Sequence, residues 1–199
     1  YVRYPNQQIG FITGIVEKEF VKVIGDGTST VYQLLLQNKR YILQLDALEY
    51  LCADKMHLVL AKDEQLELLP FGNHARGSLF LDASNIINEQ LTESINEVCS
   101  QIDGFYYGRL DIKYESIELL TQGQNFCIIE LNGAGSEPTH IYDPKHSIFF
   151  AWKEIIRHWK MLYQVSVINR KLGKQYLTFK EGRKMFREDA AHQAKLALL

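Results

Sequence analysis

Apolar positions along this chain fall into runs whose period switches between strand-like alternation and helical spacing. Residues 9–24 are dense in isoleucine, valine and phenylalanine, with charges at Glu17, Lys18, Glu19 and Lys22, the pattern of one bent strand or two short ones. Gly25-Asp26-Gly27 breaks the run, and Thr28, Ser29 and Thr30 are good N-caps for a helix over residues 31–37. A second helix is expected over residues 42–52, where Leu45, Leu48, Tyr50 and Leu51 make a roughly helical stripe. A short strand over residues 65–69 leads into a polar, glycine-punctuated loop, residues 70–77, that no packing pattern explains. Residues 89–102 read as a helix with Leu91, Ile95 and Val98 on one face, ending near Gly104. Two strands follow, residues 105–114 and 125–131, joined by a linker containing Gly123 and expected to pair antiparallel. Pro138 and Pro144 bracket an irregular stretch, after which residues 148–171 form a long helix and a last helix runs from about residue 181 to the end.

Composition adds a class to this outline. The 199 residues are 46% hydrophobic and 23% charged, the balance of an ordinary globular protein of one large or two small domains. No apolar run approaches the roughly 20 residues that cross a bilayer, and the start lacks a basic-then-apolar signal, so a cytoplasmic protein without membrane partners is expected. Cys52, Cys99 and Cys127 are odd in number and widely spaced in apolar context, which predicts reduced core thiols. The formal net charge of -2 hides an acidic body and a basic stretch from Ala151 onward. Tyr1 opens in strand-like sequence without an initiator methionine, and the chain is expected to be a fragment.

Chemistry enters through the two strands. Alternation puts Tyr107, Arg109 and Asp111 on one face and Gly108, Leu110 and Ile112 on the other; in the second strand Ile128, Glu130 and Asn132 share a face. Pairing with apolar faces aligned brings Arg109, Asp111, Glu130 and Asn132 together. Two carboxylates and an amide oxygen are hard ligands of the kind magnesium accepts, and an adjacent arginine neutralises phosphate charge. The same residues read equally as a solvated cross-strand ion pair of Arg109 with Glu130.

The segment Gly108-Arg109-Leu110-Asp111-Ile112, followed by Ile129-Glu130-Leu131-Asn132-Gly133, resembles the paired strands that end the ATP-grasp fold of D-alanine-D-alanine ligase-like enzymes. Asn73-His74-Ala75-Arg76-Gly77 is similar to an Arg-Gly loop of amino-acid and peptide ligases of that group, and the stretch from Val23 to Thr30 resembles a Gly-Asp-Gly-x-Ser-Thr segment of cyanophycin-synthetase-like carboxylate-amine ligases. The matches cover most of residues 9–144, in the family's order. The resemblance implies an α+β fold: an ATP-grasp C-terminal lobe over residues 1–146, mainly antiparallel sheet flanked by helices, with a helical C-terminal extension, residues 147–199, packed on it. It implies ATP with Mg2+, or Mn2+ in its place, as cofactors, with Asp111, Glu130 and Asn132 as metal ligands. Arg109 and Arg76 are then catalytic, with Asn73, His74, Arg76 and Arg109 toward the nucleotide. Residues 133–137 resemble a loop near the acceptor substrate. The implied partners are a small-molecule carboxylate and an amine, joined through an acyl phosphate, with no nucleic acid and an open oligomeric state. The family's upstream lysine and adenine-contacting hinge are not identifiable, so the fragment is expected to be inactive alone. The alternative is a non-catalytic ATP-grasp-like binding module.

Other features carry blander expectations. The turn at residues 25–30 reads as a capped strand-to-helix connection, with anion binding at the helix start as the alternative. His140, Asp143 and His146 lack metal-ligand regularity. The aromatic and basic C-terminal residues, Trp152, Trp159 and Tyr163 among them, are expected to pack one helix face on the body and solvate the other, rather than bind nucleic acid or membrane.

Overall fold

The computed structural model describes residues 1–69 and 77–196. It is an α+β chain in which short antiparallel ladders alternate with helices. The apolar run at residues 9–24 resolves into two strands, β1 (Val16–Glu19) and β2 (Lys22–Ile24). These go to different partners: β1 pairs β4 (Leu79–Asp82), and β2 pairs β3 (Gln65–Glu67), both antiparallel. Instead of one mainly antiparallel sheet, the described residues form three two-stranded ladders, the third made by β5 (Arg109–Tyr114) and β6 (Phe126–Asn132).

Helix α1 (Val31–Gln37) starts where the Thr30 side chain accepts from Gln33 N while the Gln33 side chain accepts from Thr30 N, a reciprocal capping box. The single helix expected over residues 42–52 is two, α2 (Lys39–Ile42) and α3 (Leu45–Leu51), because Asn38 caps Arg40 N and starts a turn early. These elements close a first core around Val21, Val31, Leu35, Leu48 and Leu68.

A second core gathers Leu91, Ile95 and Cys99 of α4 (Glu89–Ser100) with Phe105 and Leu120, the last on α5 (Ile117–Thr121). This short helix occupies the linker expected to be plain loop; Ser116 Oγ accepts from Leu119 N at 3.2 Å and begins it. The strand expected from residue 105 begins only at Arg109, because Tyr107 bridges to Val2 rather than to β6. Cys52 and Cys99 are buried thiols, as expected; Cys127 is exposed, on the outer face of β6.

Helix α6 (Ile148–Lys171) has the bounds its pattern predicts and is capped by Ser147, whose Oγ accepts from Phe150 N. Its buried face differs from the expected one. Glu154, His158, Met161 and Val165 turn inward, the last two packing with Val2 and Tyr107. Trp152 and Trp159 are 55% and 69% exposed, and Tyr163 matches Trp159. The aromatics thus face outward instead of covering the body, and the inward stripe contains two ionisable residues that find partners there. Acrylamide should therefore quench the tryptophan fluorescence of the native protein nearly as steeply as that of the urea-unfolded chain. A several-fold shallower native quenching slope would contradict this placement. Helix α7 (Phe179–Leu196) buries none of its residues.

Candidate functional site

Strands β5 and β6 place Arg109 opposite Asn132 and Asp111 opposite Glu130. Directly opposed residues of an antiparallel pair project from the same face, so all four share one side of the ladder. The register then slips: Ile112 pairs with Ile128, which leaves Ile129 as an extra residue. This bulge corrects one expectation. Ile128 does not share the Glu130 face; it lies opposite Ile112, on the side where Leu110, Ile112 and Phe126 pack into the second core. Ile129 is extruded and 69% exposed. The bulge thus lets an apolar strand base and a polar tip coexist on one short ribbon.

Asp111 is the electrostatic centre of the tip. Arg109 Nε donates to its Oδ1 at 2.9 Å, and Lys18 Nζ, arriving from β1, donates to its Oδ2 at 2.5 Å. Its side chain is only 13% exposed. Burial works against its charge, but the Lys18 ammonium and the Arg109 guanidinium outweigh it and hold the carboxyl below the usual carboxylate range. Arg109 therefore pairs with its own strand neighbour, not with Glu130 as the solvated-pair alternative has it. Glu130 is exposed and makes no ion pair among the described residues. Asn132 Nδ2 is buried without a hydrogen-bond partner among them. Lys18 is the residue that sequence reading missed: it lies 93 positions from Asp111, on a strand with no local mark of the contact.

Beyond the strand tip, Arg109, Asn132 and residues 133–137 line an open depression of about 510 Å3. Ser136 donates from N and Oγ to Gly133 O and shapes the turn beneath it. Gly108 fixes the approach of the two strands. A Cβ there would stand 2.2 Å from the Asn132 carbonyl oxygen and 2.5 Å from the Phe105 ring, whereas a Cβ at Gly133 would meet nothing within 4 Å. Gly108→Ala is expected to cost about 1–3 kcal/mol, the usual penalty of forcing an atom into a packed place. Gly133→Ala should leave stability unchanged. Urea midpoints of the two variants check the contrast, and equal midpoints would refute it.

Asn73, His74 and Arg76 lie outside the described residues. Gly77, the first described residue after them, has a positive φ of 97°. In the turn at residues 25–30 the Asp26 carboxylate accepts from Thr28 N at 2.8 Å and from Ser29 N at 2.6 Å. Those amides already hold an anion, the chain's own, which favours the capped-turn expectation over phosphate binding.

His140, Asp143 and His146 separate into different tasks. His146 Nε2 meets Asp82 Oδ2 at 2.8 Å, Asp143 Oδ2 accepts from Asp82 N at 2.7 Å, and His140 Nε2 lies 3.4 Å from Glu154 Oε2 on α6. His158 Nδ1 is 2.9 Å from the Tyr107 hydroxyl. Together they tie α6 and the preceding 3-10 turn (Thr139–Tyr142) to β4 and to Tyr107. Burial pushes the His140 ring below its ordinary pKa and the His158 ring down to about 4, against the pull of nearby carboxylates. Burial also opposes the Asp82 charge, but hydrogen bonds from Ser84 and His146 hold that carboxyl down to about 2. No three His, Cys, Asp or Glu side chains among the described residues converge as a metal-binding group. The strand tip offers two carboxylates and an amide, a hard-oxygen set whose chemistry fits Mg2+ or Mn2+ better than a softer metal.

No family model and no curated protein matches the sequence. Among solved structures, the chain is similar to a bifunctional glutathione synthetase from Pasteurella multocida. The TM-score is 0.49 at 15% identity, over 77% of this chain and 23% of that one. The chain therefore spans under a quarter of that protein's length. Among the described residues no helix is long and apolar enough to cross a membrane.

Proposed function

We propose that this chain is the metal- and phosphate-facing part of an ATP- and magnesium-dependent carboxylate-amine ligase. The observation that supports it most is the opposition of Asp111 to Glu130 and of Arg109 to Asn132 at one strand tip, in sequence that resembles the paired strands of ATP-grasp ligases. Asp111, Glu130 and Asn132 are the residues that would hold Mg2+ or Mn2+. When bound, the metal supplies charge neutralisation for the phosphates. Arg109 would contact the transferred phosphoryl group, an anion that its planar fork suits. Asn73, His74 and Arg76 are assigned to the nucleotide on the sequence resemblance alone.

In this reading a substrate carboxylate attacks the γ-phosphate of ATP, releasing ADP and forming an acyl phosphate; an amine then displaces phosphate. The chain's contribution is positioning and electrostatic stabilisation, without a nucleophilic serine or cysteine. The depression lined by Arg109, Asn132 and residues 133–137 is assigned to the amine side. The substrates are small and amino-acid-like, and the compartment is the cytoplasm. Residues 1–146 form the ligase lobe, and residues 147–199 are an extension to it.

A second reading is a non-catalytic module with the same ladder. What favours it is that both Asp111 oxygens are already taken by Lys18 and Arg109. ADP release by the complete parent protein, with magnesium and pooled amino acids and small carboxylates, separates the two. Substrate-dependent turnover that vanishes in the Asp111→Asn, Glu130→Gln double variant supports the ligase; equal turnover in a folded variant refutes this site.

A further inference from the structure

Lys18 and Asp111 sit on strands that do not pair with each other, yet they form the shortest ion pair of the strand tip. The lysine stem is aimed by packing as well as by charge. Phe80, its cross-strand partner on β4, is buried, and the Lys18 ammonium stands 5.7 Å from the centre of that ring. Arg109 takes the other Asp111 oxygen. Two cations and two carboxylates, Asp111 and Glu130, make the tip electrically neutral as it stands. A divalent cation added to this cluster would bring two uncompensated charges to a half-buried place unless a resident cation left.

We propose that Lys18 is a positioning residue that stands in for the divalent cation, so that a metal ion gains Asp111 only by driving the Lys18 ammonium off Oδ2. The proposal rests on the reading of Asp111 and Glu130 as metal ligands. Lys18 suits the role better than Arg109 does. An ammonium is a point charge on a flexible stem with three rotatable donors, whereas a guanidinium is a rigid fork. Once displaced, the ammonium needs new acceptors. An anionic co-ligand that arrives with the metal supplies them, so metal and anion favour each other at this tip although neither touches the other's protein ligands. Metal alone binds poorly, because the displaced charge is left without a partner.

Mn2+ is the probe, its binding read from the electron paramagnetic resonance signal of the free ion, with and without a non-hydrolysable ATP analogue. Lys18→Met should bind Mn2+ alone about tenfold more tightly than wild type, inside the usual range for coupled sites. The same variant should lose most of the gain that the analogue confers. Lys18→Arg keeps the charge on a rigid fork that leaves Asp111 less readily, so it should bind Mn2+ alone no more tightly than wild type and restore little of the coupling. Lys22→Met changes net charge equally on the adjoining strand, where Lys22 pairs with Glu19, and should leave Mn2+ affinity unchanged. Equal or weaker Mn2+ binding by Lys18→Met, or an equal gain in Lys22→Met, overturns the stand-in role. If Asp111→Asn and Glu130→Gln leave Mn2+ binding untouched, the metal-site reading itself fails and the stand-in role with it. Loss of binding in those two with no effect at Lys18 removes the stand-in role alone.

Discussion

If the proposed ligase reading holds, Asp111→Asn and Glu130→Gln in the complete parent protein are expected to lower turnover to a similar degree, about a hundredfold to a thousandfold each, the usual loss when one preorganised charge-stabilising group is removed. Their effects on stability should differ. Asp111 is half-enclosed and satisfies two cations, Lys18 and Arg109, at 2.5 and 2.9 Å. Its neutral amide would leave both under-compensated and cost about 1.5–3 kcal/mol, the range for hydrogen bonds to charged groups. Glu130 is exposed and has no ion-pair partner among the described residues, so Glu130→Gln should leave the urea midpoint where it was. Turnover and urea midpoints measured on the same preparations test this. A Glu130→Gln variant that unfolds as early as Asp111→Asn, or that turns over normally, would contradict the assignment of a free ligand at that position.

The strand tip was legible because β-alternation is a local rule. Arg109 and Asp111, and likewise Glu130 and Asn132, are two residues apart, and aligning the apolar faces fixes which of them oppose. The bulge was not legible. Cys127, Ile128 and Ile129 form an unbroken apolar run, and nothing in three consecutive apolar residues says which one is extruded. Lys18 escaped notice for a different reason: its partner is remote in sequence, and a lysine in a short strand more often meets water. In α6 hydrophobicity pointed the wrong way. The helix buries Glu154 and His158 and exposes Trp152 and Trp159, because the inward polar groups have specific partners in Tyr107, His140 and one another. Helix bounds survived, since Ser147 writes the start of α6 regardless of which face turns inward.

The buried histidines carry the second large expected effect. His158 titrates at about 4 in the folded chain, and its ordinary value is 6.5. Between those values the unfolded chain takes up a proton that the folded chain refuses, so stability falls as the solution is acidified from pH 6.5 toward pH 4. Each pH unit between the two values is worth about 1.4 kcal/mol, so His158 alone accounts for a loss of about 3 kcal/mol at the bottom of the window. His140, whose pKa burial moves in the same direction, adds to it with the same sign. The depressed carboxyls of Asp82 and Asp111 contribute at still lower pH, where their charges are lost. Urea midpoints measured across this range should drop steadily. His158→Leu, whatever its absolute stability, should show a flatter profile. A wild-type midpoint constant from pH 6.5 to pH 4, or an unchanged slope in the variant, would show that these rings do not stay neutral in the fold.

Helix α7 buries none of its residues, and that has a thermodynamic meaning separate from any role its charges play. Melting it uncovers little apolar surface, so it adds little to the heat capacity of unfolding or to the denaturant dependence of stability. An isolated helix of 18 residues is near the margin of persistence in water. The cooperative unit of this chain is therefore shorter than the chain itself. Val165 is the last fully buried residue of α6, so the cooperative unit is expected to end in the helix beyond it, and the backbone amides of α7 to exchange through local fraying rather than global opening.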